Sequence, residues 1–194
     1  MDITLRGLWT MIHGMAFGAL YLLACSGAIL EFHRLTTAAP YSEPTLAQER
    51  FLKAYLVAMV VLSWAAVFTG AYIIYPWYRV VPPRAVPPHD APNLAMFPQR
   101  LLQSNPATAA WHSFGMEWKE HVAWFAPISI TMVAFTFIRY GRHLRRHQQI
   151  RAAVLVFAAT SFVAAGIAGF LGAMINKAAP IQGGPVIHLR PSQE

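Results

Sequence analysis

The sequence predicts an all-α fold: an integral-membrane four-helix bundle with a long proline-rich outer loop. Three observations predict it. Hydrophobic residues make up 56% of the chain and charged residues only 12%, against about 25% charged in ordinary soluble domains. Four segments are long and apolar enough to cross a hydrocarbon layer, which takes about 20 residues as a helix. The basic residues lie in the stretches between those segments, where cations sit at membrane interfaces. The net charge of +7 is therefore read as an interfacial charge. It does not point to nucleic acid. The whole chain, 1–194, reads as one membrane domain.

The first span, about 7–30, carries no formal charge between Arg6 and Glu31. It is too long for a signal peptide and keeps a histidine, so it is read as a retained span. Its Cys25 is the single cysteine, which excludes an internal disulfide. No CxxCH motif occurs, so covalent c-type haem attachment is excluded. The second span, about 54–77, ends in Tyr75, Trp77 and Tyr78, which suit an interfacial aromatic belt. The third, about 112–138, is apolar from His121 onward. Asn105 before Pro106 offers a helix start outside the lipid. Pro127 within it removes a backbone donor and frees the Ala123 carbonyl, predicting a kink below His121. The fourth span is about 152–176. Backbone in lipid must satisfy its own hydrogen bonds, so these are helices.

The connections differ. The stretch from Glu31 to Lys53 contains Pro40 and Pro44. The loop 79–105 holds Pro82, Pro83, Pro87, Pro88, Pro92 and Pro98. It is expected to be an extended cover or partner-docking loop with no regular helix. Arg139 to Arg151 contains five arginines and no acid, a positive-inside signal. This places both termini and the proline-rich loop on the periplasmic side of a bacterial inner membrane. The tail 177–194 reads as irregular.

Of eight histidines, only His13 lies well inside a span, and His121 lies at the edge of one. The first and third spans run in the same direction, so both histidines fall at similar depth in the outer leaflet. An ionisable residue inside a span is a functional-site candidate. Two facing imidazoles can axially ligate a haem iron. Gly14, Gly18, Gly70 and Gly169 lie at the same level and would leave room for a flat ring. Each also serves as an ordinary packing glycine. Glu117, four residues before His121, shares its face and is placed to accept the imidazole N–H or a proton from a quinol. His112 lies half a turn out of phase with His121 in a continuous α-helix. A second haem on His33 and His143 or His147 would sit at or beyond the lipid boundary, so one haem is favoured over two.

A small four-helix membrane bundle with histidines on two helices resembles the membrane-anchored b-type cytochrome subunits of respiratory complexes. The resemblance implies haem b, electron exchange with quinone or an outer-side redox partner, and larger subunits of a membrane complex. His13 and His121 would be its axial ligands. Two readings of other classes stand beside it: a cofactor-free structural or accessory subunit, and a chlorophyll-type pigment-binding subunit.

Overall fold

A computed structural model describes residues 2–37, 45–83 and 94–188. Four helices are long and apolar enough to cross a membrane: α1 (Leu5–Arg34), α2 (Leu46–Tyr78), α4 (Pro106–Tyr140) and α5 (Gln148–Ala178). The chain is an integral membrane protein by this measure. A short helix, α3 (Pro98–Ser104), precedes α4. Two short strands, β1 (Asp2–Thr4) and β2 (Val186–His188), pair antiparallel. In sequence order the long helices form a ring, each packing on the next and α5 closing onto α1.

Every long helix runs past the apolar segment that marked it, because polar residues extend its ends. Thr45 caps α2 in a reciprocal box with Gln48: the Gln48 N–H donates to Thr45 Oγ1 at 3.2 Å, and the Thr45 N–H to Gln48 Oε1 at 2.8 Å. Asn105 caps α4, accepting from the Ala107 N–H at 2.9 Å, with Pro106 at the first helical position. Pro127 interrupts α4 as its chemistry requires. The Ala123 carbonyl takes the Ala126 N–H at 3.1 Å, and a turn separates the upper part of the helix from Phe125–Tyr140.

Two expectations are corrected. The 79–105 loop does contain a regular helix, α3: Pro98 stands at its start, where its missing N–H costs nothing. Pro40, Pro44, Pro87, Pro88 and Pro92 lie outside the described residues. The tail is not wholly irregular either. Gly183 and Gly184, at φ +92° and +87°, turn it so that Val186–His188 pairs with the N-terminus. Asp2 meets His188 at 3.1 Å, the Leu5 N–H donates to the Pro185 carbonyl at 2.8 Å, and Arg6 donates to the Gln182 carbonyl at 3.2 Å. Both ends of the described chain are thus clasped together at one end of the bundle, hereafter the clasp end.

The apolar core has two parts. The larger joins Tyr21, Cys25, Phe32, Leu56, Met59, Ile130, Val133, Phe137 and Ala158 toward the arginine-rich end. The smaller joins Tyr78, Leu102, Met116, Ile175 and Ala179 under the clasp. Within the larger core a buried polar chain ties three helices. Tyr21 hydrogen-bonds Ser161, which donates to the Ala126 carbonyl at 2.6 Å. Ser161→Ala leaves the Tyr21 hydroxyl with one partner fewer in an apolar interior. The expected loss is about 0.6–1.7 kcal/mol, the range for interhelical hydrogen bonds in membranes, read by thermal unfolding in detergent. Tyr21→Phe in the Ser161→Ala background should add less than it does alone, because the two act as a unit.

Candidate functional site

Between the two cores, α1, α2 and α4 contribute no buried apolar side chain. α1 has none before Tyr21, α2 none between Met59 and Tyr78, and α4 none between Met116 and Ala126. The same three helices widen to π geometry in this region: Ile12–Ala19, Gly70–Ile74, and Trp111–Met116 with Trp118–Val122. π turns are uncommon and concentrate at functional sites. Here three neighbouring helices carry them together.

His13 lies in the first π stretch. Its Nδ1 is 3.2 Å from Thr69 Oγ1. The Thr69 hydroxyl donates its single proton to the Ala65 carbonyl at 2.7 Å, with Ala66 at 3.1 Å. A Thr69 hydroxyl so directed accepts from the His13 tautomer that carries its proton on Nδ1. In that tautomer Nε2 keeps the lone pair with which an imidazole ligates a metal. Gly70 is placed against the ring: a Cβ there would meet His13 Cε1 at 2.8 Å. A side chain at position 70 would force the Cε1 edge of the imidazole away from α2.

α4 reaches this layer with Lys119. Its ammonium donates to the Ala168 carbonyl on α5 at 3.4 Å. It also occupies the space beside Gly172, where a Cβ would stand 2.8 Å from Nζ. Lys119 and His13 are within electrostatic reach of one another. Among the described residues no carboxylate pairs with Lys119. A lysine inside an apolar span is costly and marks a candidate functional position. The layer thus draws on all four long helices: His13, Thr69 with Gly70, Lys119, and Ala168 with Gly172. It lies about 12–15 Å from the clasp ends of α1, α2 and α5, at 1.5 Å per residue.

His121 is placed differently. Its side chain is 70% exposed, and Nδ1 lies 3.1 Å from the Glu117 carbonyl and 3.4 Å from the Glu117 carboxylate. That acceptor pair again puts the proton on Nδ1 and leaves Nε2 open. The structure brings together His121 with Glu117, and His13 with Gly70. Among the described residues no hydrogen bond, ion pair or ring contact joins His13 to His121. Of the remaining glycines, Gly14 has open space around it. A Cβ on Gly18 would meet the His13 carbonyl of its own helix at 3.3 Å, and one on Gly169 would meet Leu22 at 3.8 Å. Among the described residues no group of three or more His, Cys, Asp or Glu is arranged to hold a metal ion.

A second polar group lies nearer the clasp. Buried Tyr78 bonds His112 Nδ1 at 2.7 Å. Gln99 of α3 is 3.5 Å from the other ring nitrogen. Arg79 donates to the Tyr75 hydroxyl at 2.7 Å, and Glu120 acts on Tyr75, Tyr78 and His112. Consecutive residues of the π stretch thus point apart, Lys119 to the His13 layer and Glu120 to the tyrosines.

Lys119 and Thr69 were not singled out by sequence reasoning. Lys119 sat among the polar residues thought to lie at the interface. The signal that would have exposed it was the Asn105–Pro106 start, which puts position 119 more than three turns into the helix. Compared with protein-family models, with curated proteins and with solved structures, the chain matches none.

Proposed function

We propose that this chain is a haem b-binding electron-transfer subunit of a membrane redox complex, exchanging electrons with quinone or a redox partner at the clasp end. The observation that carries the reading is His13. It lies inside a span, and its Nδ1 is 3.2 Å from the Thr69 hydroxyl, a partner that would orient the ring with Nε2 as the ligating nitrogen. The widened turns around it suit a bulky flat group. When bound, haem b would supply a one-electron redox centre. His121 offers the second nitrogen, with Glu117 as its orienting acceptor. Reaching the His13 layer requires His121, the one exposed residue of Trp118–Val122, to turn inward above the break in the helix. The clasp end is read as periplasmic, because the five arginines lie at the other end.

Absorption spectra of the purified full chain, oxidised and dithionite-reduced, test the proposal. Reduced haem b bands are the expected result. A preparation without visible absorption, purified with its membrane partners, overturns it in favour of a structural subunit. Bands of a chlorophyll type would assign the pigment-binding alternative.

A further inference from the structure

We propose that Lys119 anchors an acceptor oxygen, a carbonyl or carboxylate, of a ring-bearing ligand that resides in the membrane, in the layer it shares with His13. The inference rests on the electron-transfer reading for the kind of ligand, and on Lys119 itself for the site.

An ammonium has three donors. Among the described residues Lys119 uses one acceptor, the Ala168 carbonyl at 3.4 Å, long for a charged donor. Ala168 lies ten residues inside the end of α5, about 15 Å at 1.5 Å per residue, so the charge is held within the bundle. The ammonium lies against Gly172 on α5, whose missing side chain makes room for it. His13, seated against Gly70, is within electrostatic reach of it, and α1 and α2 are widened there. Charges inside a span pair with one another or with backbone carbonyls, and mark ligand paths; Lys119 has one long carbonyl contact, and no carboxylate of the described chain pairs with it. An oxygen brought by a ligand does. Two membrane-resident sources carry such an oxygen on a planar ring: the head group of a quinone, and the carboxylate side chains of the haem itself.

The experiment uses the purified full chain in detergent, as Lys119→Gln and as Gly172→Ala. The first removes the charge. The second keeps it but places a methyl group where the ammonium now lies. Helicity and monodispersity are checked on both. The probe is a fluorescent quinolone analogue of quinone, titrated by fluorescence quenching, beside haem content and midpoint potential. If quinone is the source, Lys119→Gln weakens the analogue by about tenfold or more, the worth of a charged hydrogen bond, with haem content unchanged. If the haem carboxylate is the source, analogue affinity holds and the midpoint potential or haem retention shifts instead. Gly172→Ala moves the same quantity in the same direction. Unchanged analogue affinity, haem content and potential in both variants overturn the proposal. Wild-type protein free of haem sinks the haem reading alone. The analogue arm then still decides for Lys119, because equal binding to wild type and Lys119→Gln, or none to either, rejects the site.

Discussion

For a chain that binds haem b as proposed, His13→Ala is expected to abolish the reduced haem bands, and Thr69→Val to weaken haem binding without abolishing it. The first removes the one imidazole that the described residues place in the layer of Thr69, Lys119 and Ala168. The second leaves that nitrogen but takes away the oxygen that accepts the Nδ1 proton. Losing an outer-shell partner of a ligating histidine typically costs 10- to 100-fold in affinity. Thr69→Ser, which keeps the hydroxyl, should restore most of it. His121→Ala separates two forms of the site. Loss of the low-spin spectrum in this variant as well as in His13→Ala assigns bis-histidine ligation. Loss in His13→Ala alone leaves His13 as the anchor with a different second ligand. Spectra unaffected by either substitution would remove both histidines from the site.

At the opposite end of the molecule, Gly141→Ala is expected to destabilise the bundle by about 1–3 kcal/mol, the usual cost of a strained backbone position. Gly141 ends α4 at φ 49° and ψ −133°, a conformation that side chains rarely adopt. A Cβ there would also stand 2.3 Å from Glu49 Oε1, the carboxylate paired with Lys53 at 2.7 Å. The two causes separate in a double variant. Glu49→Ala removes the clash but not the backbone strain, so Gly141→Ala should cost less in that background and still cost something. Gly141→Asn should not rescue, because asparagine tolerates the left-handed helical region, where ψ is positive, and not this one. Thermal unfolding in detergent reads all of these. A Gly141→Ala protein as stable as the parent would show that the loop relaxes without strain.

Much of the fold was legible because a membrane leaves few choices. A run such as Ala152–Asn176 has to be helical in lipid, since nothing else satisfies its backbone. The Asn105–Pro106 start and the Pro127 break follow from local chemistry that no tertiary contact needs to supply. The helix Pro98–Ser104 was hidden by proline density: proline excludes a helix interior but suits its first turn. The clasp was hidden for another reason. Two three-residue strands at opposite ends of the chain carry no periodicity, and only their meeting makes them strands.

The candidate site divides in the same way. His13 was evident from a polar residue in an apolar run, and Gly70 from its depth. The phase of α4 was not evident. An unbroken α-helix sets His112 half a turn from His121. Two π stretches between them alter the turn count, and a residue's facing direction with it. His112 on Tyr78 and the exposed His121 still lie on different faces, as an unbroken helix implies; the inward direction of Lys119 is what the sequence did not show. The sequence by itself determined that this chain spans the membrane four times and which histidine lies within it, because hydrophobicity and length act locally and leave one solution. Only the tertiary structure decided which residues face one another across the bundle. That depends on where the helices widen, which is settled by packing against the neighbouring helices.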